Sequence, residues 1–204
     1  MIYGGSDAYE SKRKQKLTAR EINAVLPVTP KYLQWSEAPI TFGQADHPDH
    51  IPHPDRYPLV LDPIVRMTKL NRVLINGGIG LNILFAKTLD DMKISRSELR
   101  RSNSPFHGLI PGTSAIPLGQ ISLPVTLGTW ENFRMEKISF EVANFEAAYH
   151  AILGRPALAK FMVVPHYTYM MMKLPGPNGI ISLRGDVRRS YSYDQESCTL
   201  TENI

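Results

Sequence analysis

The stretch of residues 73–85 constrains the fold most, because an apolar run meets one polar residue there and then a cluster of glycines. Its sequence is V-L-I-N-G-G-I-G-L-N-I-L-F. A buried strand that ends in this way places the polar side chain, here Asn76, at the strand end. Glycine permits positive φ angles and close backbone approach, so Gly77, Gly78 and Gly80 predict a tight loop. Such a loop directs backbone N–H groups and the Asn76 side chain towards a cleft.

Four short motifs carry a family resemblance. Residues 74–78 are L-I-N-G-G and residues 104–108 are S-P-F-H-G. Residues 117–121 are P-L-G-Q-I, and residues 149–156 are Y-H-A-I-L-G-R-P. In this order they resemble the protease region of a plant gypsy-type LTR retrotransposon Gag-Pol polyprotein, which is a retropepsin-like aspartic protease. The retropepsin pattern is two hydrophobic residues, then the catalytic Asp, a small residue and Gly.

The resemblance implies a mainly-β fold. It predicts a retropepsin-like closed barrel over residues 57–184 with one short C-terminal helix, into whose first turn Pro156 fits. Residues 1–56 are predicted to be a Gag-derived N-terminal segment and linker. This segment holds a short helix, because T-A-R-E at residues 18–21 is a capping box. Residues 185–204 are charged and polar, and we predict a frayed tail there.

Strand composition predicts where the sheet lies. The alternation is clearest at residues 138–142, which are I-S-F-E-V. The segments predicted to be extended are residues 57–65, 69–75, 119–127, 133–142, 149–153, 163–174 and 180–183. Residues 81–92 favour a short helix or turn, because their apolar residues recur near helical spacing.

The resemblance also implies which residues form the site. Asn76 occupies the position of the catalytic Asp, and Gly77 and Gly78 complete the active-site loop. In retropepsins a second hydrophobic-Gly-Arg element precedes a helix, and its Arg braces this loop. Gly154 and Arg155 match that element and are expected to be structural. The alternative for Arg155 is an ordinary position on the helix surface.

A glycine-tipped hairpin, the flap, closes over the substrate in retropepsins. Residues 106–118 occupy its place in the chain, and an ordinary surface hairpin is the alternative. The candidate flap residues are Phe106, His107, Gly108, Leu109 and Ile110.

Aspartic proteolysis requires two carboxylates that share one proton. A retropepsin chain of this size supplies one of them, so the resemblance implies a homodimer with the site on its two-fold axis. An amide cannot act as the base, so Asn76 predicts an inactive or crippled endopeptidase of Gag-Pol polyprotein processing. The alternative is a catalytically silent module for dimerisation or peptide binding. Two further departures from the family are Gly77, where Thr or Ser is usual, and Asn82, where an acidic partner is expected.

Composition limits which other classes of protein this chain can belong to, namely disulfide-bonded, membrane-spanning or secreted proteins. A single cysteine, Cys198, among 204 residues excludes an internal disulfide. The sequence has neither a run of about 18 apolar residues nor a signal-peptide pattern after Met1. We therefore expect no membrane span and an intracellular location, cytoplasmic or nuclear.

Nucleic-acid and metal binding are the weaker alternatives. The formal net charge is +4, and a basic run near the N-terminus favours a solvated tail over a nucleic-acid patch. Its cations are Lys12, Arg13, Lys14 and Lys16. A second cluster has metal-type side chains but lies among prolines, which favours an extended linker. That cluster is His47, Asp49, His50, His53 and Asp55. We predict neither a metal site nor a cofactor.

Overall fold

The fold is described by a computed structural model for residues 35, 37–48, 50–53, 56–102, 106–110 and 113–202. β-Strands predominate in these residues, so the prediction of a mainly-β fold is confirmed. The helix predicted after Thr18 and the basic run of residues 12–16 lie outside the described residues. No helix in the described part of the chain is long and apolar enough to cross a membrane.

The described chain forms strands and three α-helices in the following order. The strands are β1 (Val60–Leu61), β2 (Ile64–Val65), β3 (Thr68–Lys69), β4 (Val73–Asn76), β5 (Ile83–Phe85), β6 (Phe106–Ile110), β7 (Thr113–Ala115), β8 (Gly119–Thr129), β9 (Asn132–Ala143), β10 (Ala151–Gly154), β11 (Val164–His166), β12 (Met171–Gly176) and β13 (Gly179–Arg184). The helices are α1 (Ala86–Asp91), α2 (Arg155–Phe161) and α3 (Val187–Glu202). Short 3₁₀ turns lie at Gln44–Asp46 and Arg96–Glu98.

The largest sheet has eight strands in the order β1-β4-β10-β5-β9-β8-β2-β3. Strands β8 and β9 form its long central hairpin, paired from Gly119–Val142 to Thr129–Asn132. The outermost strands β1 and β3 have two residues each and are not paired with each other among the described residues. The sheet is therefore open at this edge, whereas the resemblance predicted a closed barrel. Strands of two residues have too few backbone N–H and C=O groups to form the inter-strand hydrogen bonds that would close the barrel.

Strand β10 lies between β4 and β5, although β4 and β5 are consecutive in the chain. It runs parallel to β4, with Gly154 opposite Asn76, and antiparallel to β5. The loop of residues 77–82 therefore crosses the end of β10. This crossing brings the two glycine-containing motifs of the sequence together.

Both faces of the sheet bury apolar side chains, and successive residues of a strand contribute to opposite faces. The larger core contains Phe140 and Phe161, which are fully buried, and α2 packs into it. A smaller cluster on the other face contains Ile83, Phe85 and Ile152. Helix α2 begins with a proline in its first turn and ends at Met162 in the left-handed conformation. This helix is the short C-terminal helix that the resemblance predicted.

The sequence predicts a frayed tail for residues 185–204, whereas the structure has helix α3 in this region. The Arg189 guanidinium forms two hydrogen bonds with the Asp62 carboxylate, the shorter at 2.8 Å. It also donates to the Asn71 carbonyl oxygen at 2.9 Å. Arg72 pairs with Glu196 at 2.8 Å. These partners are distant in sequence, so the local polar composition alone gave the wrong prediction.

Part of the segment predicted to be a linker lies along a three-stranded sheet formed by β11, β12 and β13. The Lys173 ammonium donates to the Thr41 carbonyl oxygen at 2.9 Å and to Asp46 Oδ2 at 2.7 Å. Its nitrogen lies 5.0 Å from the centre of the Phe42 ring, and the His47 ring lies 4.6 Å from that of Tyr169. We call residues 41–47 the strap, because they lie along this sheet.

Candidate functional site

Asn76 is the last residue of β4 and is half-buried. Val73 and Ile75 of the same strand are buried in the larger core, which leaves the Asn76 side chain on the opposite face. Its Oδ1 accepts a hydrogen bond from the Gly78 N–H at 2.9 Å. Its carbonyl oxygen accepts from the Ile79 N–H at 3.3 Å. Asn76 therefore folds back over the loop that follows it, at the strand end that the sequence predicted.

The loop glycines do not take the positive φ angles that the sequence suggested. Among the described glycines only Gly119, Gly128 and Gly179 do so. A Cβ atom on Gly78 would lie 3.2 Å from Asn76 Oδ1, so this glycine serves close approach. A Cβ atom on Gly77 would lie 3.5 Å from the nearest atom outside the loop, which is ordinary contact. A small side chain therefore fits at position 77.

Gly77 is held on both sides by side chains from distant parts of the chain. Its N–H donates to the hydroxyl oxygen of Tyr167 at 3.3 Å. Its carbonyl oxygen accepts from Arg155 Nε at 3.4 Å. Arg155 is exposed on the first turn of α2 and still reaches the loop. This position agrees with the bracing role implied by the resemblance, which remains a prediction.

Asn82 anchors the far end of the loop. Its side chain is 6% exposed, and its Oδ1 accepts from the N–H groups of Gly154 and Ala157 at 3.0 and 3.3 Å. Its Nδ2 donates to the Ser139 carbonyl oxygen at 3.0 Å. One amide thus joins the loop to β10, α2 and β9. The resemblance marks Asn82 only as a departure from an acidic partner for Arg155, and the structure shows no hydrogen bond between these two side chains.

Gly154 permits the loop to cross β10. A Cβ atom there would collide with the carbonyl oxygen of Leu81 and would lie 2.7 Å from that of Ile79. The Ile79 carbonyl oxygen also accepts from the Arg155 N–H at 2.8 Å. Any side chain at position 154 would push these backbones apart, which fits the structural role predicted for this glycine.

The predicted flap region is a hairpin in its backbone. Strands β6 and β7 pair antiparallel, with Phe106 opposite Ala115 and Ile110 opposite Thr113, and form a sheet of their own. His107, Gly108 and Leu109 lie within β6. The tip, residues 111–112, lies outside the described residues. The covering of the site by this hairpin remains a prediction.

No carboxylate in the described part of the chain hydrogen-bonds to Asn76. Asp90 is hydrogen-bonded to Arg96 at 2.7 Å, and this bond lowers the pKa of Asp90 below its ordinary value. Asp91 lines a different cleft, beside His150. Neither aspartate contacts the Asn76 side chain by a hydrogen bond.

Three clefts on the single chain lie away from the Asn76 loop. One lies between β2, β8 and α3 and contains Asp62 and Arg189. A second lies beside Tyr149 and His150, and a third lies beside the strap. Asn76 lines none of these three clefts.

Comparison with known proteins gives structural neighbours only. No protein-family model matches the sequence, and no curated protein sequence does. The chain resembles the retroviral protease-like domain of Ddi1 from Leishmania major with a TM-score of 0.47, 13% identity and coverage of 63% of this chain and 93% of that chain. It resembles a retropepsin-like aspartic protease from Rickettsia conorii with a TM-score of 0.41, 14% identity and coverage of 60% and 79%.

A third neighbour is the EIAV protease in complex with the inhibitor HBY-793. Its TM-score is 0.38 at 22% identity, with coverage of 54% of this chain and 93% of that chain. Similarity at these values assigns no role to any residue.

Proposed function

We propose that this chain is a retropepsin-like aspartic endopeptidase domain, derived from a retrotransposon Gag-Pol polyprotein, that lacks its catalytic carboxylate. The observation that carries the proposal is the position of Asn76. It ends a buried strand, lies beside Gly154 and starts a loop that Arg155 and Asn82 tie down. Two of the motifs that resemble the family, residues 74–78 and 149–156, thus meet at one place in the fold, with an amide where the resemblance expects the acid.

The chemistry follows from what an amide can do. Asn76 donates and accepts hydrogen bonds but has no proton to exchange at ordinary pH. It can hold water or the carbonyl group of an extended peptide, and it cannot activate that water for attack. Peptide-bond hydrolysis is therefore lost, while the surface that would bind a polypeptide remains.

The site is completed by a second copy of the chain. A single chain offers one Asn76 loop, and that loop lines none of the three clefts described above. Two such loops on a two-fold axis would form a cleft between them, as an isologous dimer requires. The homodimer would present two amides to a bound peptide.

A silent module for dimerisation or peptide binding is the second candidate. The presence of Asn76 itself favours it, because the loop contacts are intact while the reacting group is absent. In this case a Gag-derived polypeptide binds the wild-type dimer and is released uncut.

A cleavage assay shows whether the chain hydrolyses peptide bonds with Asn76 in place and with an aspartate restored. Wild-type protein and the Asn76→Asp variant are incubated with a Gag-derived polypeptide at mildly acidic pH, with sedimentation to report the dimer. We expect only the variant to cleave, and pepstatin to block it. Cleavage by the wild type, or a strictly monomeric chain at high concentration, would overturn the proposal.

A further inference from the structure

The Asn76-Gly77 peptide is chemically labile, because glycine has no side chain to hinder its own nitrogen. That nitrogen attacks Cγ of Asn76, an N–Cγ bond forms, and ammonia leaves with the side-chain nitrogen. The product is a cyclic imide. Water then opens either carbonyl of the ring and yields Asp or isoAsp at position 76. No oxidant or metal is required.

In this structure the attacking nitrogen and the attacked group are both held. The Gly77 N–H donates to the Tyr167 hydroxyl oxygen at 3.3 Å. Asn76 Oδ1 accepts from the Gly78 N–H at 2.9 Å. Arg155 Nε bonds the Gly77 carbonyl oxygen at 3.4 Å, so the peptide unit on the other side of Gly77 is held as well. Attack on Cγ requires the Gly77 N–H to leave Tyr167 and lose its proton.

Tyr167 is carried by a constrained turn between β11 and β12. Its carbonyl oxygen accepts from the Met170 N–H at 3.0 Å. His166 Nδ1 accepts from the Tyr169 N–H at 3.2 Å, and the rings of these two residues stack at 3.8 Å. Phe42 of the strap lies 5.0 Å from the His166 ring. The backbone that carries Tyr167 is therefore held on the side away from the loop, while the Tyr167 residue itself is 43% exposed.

We propose that Asn76 is a deamidation site whose rate is set by Tyr167, and that its conversion to aspartate returns the missing carboxylate to the site. Tyr167 is a positioning residue, since it acts through the Gly77 nitrogen. The return of the carboxylate rests on the proposed function, whereas the control of the deamidation rate by Tyr167 does not. The modification would convert a silent domain into an active one without any change in the gene.

The test measures conversion at position 76 by peptide mass spectrometry during prolonged incubation of the full chain. Tyr167→Phe keeps the ring and removes the hydroxyl. The bond it removes is neutral and, at 3.3 Å, long, so we expect conversion to accelerate about two- to three-fold. Tyr169→Phe is the matched control, because that hydroxyl has no described contact with the loop. Equal conversion rates in wild type and Tyr167→Phe would overturn the proposal.

Two further measurements distinguish positioning of the Gly77 nitrogen by Tyr167 from a general loss of folded structure. Amide exchange at Gly77 should rise in Tyr167→Phe, while the midpoint of thermal unfolding stays at the wild-type value. Gly77→Ala places a methyl group where contacts are ordinary, and this group should hinder the attacking nitrogen and slow the conversion well below the wild-type rate. Conversion in Gly77→Ala at the wild-type rate would contradict attack by that nitrogen.

The cleavage activity of the aged protein tests whether conversion of Asn76 to aspartate restores proteolysis. Aged Tyr167→Phe should gain pepstatin-sensitive cleavage, and aged Gly77→Ala should gain far less. If Asn76→Asp cleaves and the converted protein does not, the restoration is wrong. If Asn76→Asp itself cleaves nothing, the proposed function fails, and the control of conversion by Tyr167 is judged on mass spectrometry and amide exchange alone.

Discussion

Asn82 is the residue on which attachment of the loop depends. Its buried amide accepts two backbone N–H groups and donates to one carbonyl oxygen. Replacement by Ala leaves these backbone groups without partners at a site that admits little water. We expect Asn82→Ala to lower the free energy of unfolding by about 2–4 kcal/mol, measured by urea denaturation.

The exposed Asn144 supplies the control for that experiment. Asn144→Ala removes the same amide from the surface and should change stability by less than about 0.5 kcal/mol. If the two variants were equally stable, Asn82 would not anchor the loop.

The site was predictable from sequence only where local pattern fixes geometry. An apolar run that ends at Asn76 before glycines is enough to place this residue at a strand end. Tyr167 has no such signal, because its contact with Gly77 spans 90 positions and follows from the β11–β12 turn. Asn82 was visible as a polar residue in an apolar stretch, but its partners come from β10, α2 and β9 and cannot be inferred from neighbours in sequence.

At the scale of elements, the strap depends on Lys173. This side chain is 11% exposed and joins Asp46, the Thr41 carbonyl oxygen and the Phe42 ring. We expect Lys173→Met to keep the packed hydrocarbon stem, release the strap and lower the midpoint of thermal unfolding. Limited proteolysis should then cut within residues 41–47 faster than in the wild type.

Lys87 provides the comparison, since it is exposed on α1. Lys87→Met removes one positive charge without loosening the strap. Equal cleavage of the strap in both variants would show that Lys173 does not hold it.

Elements with strong periodicity were predictable, and those held by distant ion pairs were not. The alternation at residues 138–142 placed β9 correctly, because one face of that strand is buried in the core. Helix α3 has a polar sequence without a broad apolar face, so the local pattern predicted a tail. Its order follows from contacts such as Arg189 with Asp62, which no local signal reveals.

At the scale of the whole molecule, stability should fall in mild acid through His150. Burial lowers the pKa of His150 below its ordinary value of 6.5, and the positive charges of Arg72 and Lys87 add to this shift. Asp91 and Asp62 act in the opposite direction and are outweighed. The unfolded chain therefore takes up the proton first as pH falls, so the free energy of unfolding decreases below about pH 6.5.

The variant His150→Gln isolates this effect. Urea denaturation at pH 7.5 and 5.5, each value about one unit from the ordinary His pKa, should show a larger loss for the wild type than for the variant. Identical losses would show that other groups, such as Asp46 with its lowered pKa, account for the acid sensitivity.

The central claim is that one carboxylate per chain is all that the reacting centre lacks. The most direct measurement is the pH–rate profile of Asn76→Asp on a Gag-derived polypeptide, with Asn144→Asp as the matched control. Each general acid–base group typically contributes about 10²–10⁴-fold, and in the proposed homodimer one substitution would supply both carboxylates. We predict cleavage that peaks at acidic pH, where the pair holds one proton, and that pepstatin abolishes. A folded, dimeric Asn76→Asp protein that cleaves nothing would contradict the claim and point to Gly77 or Asn82 as a second lesion.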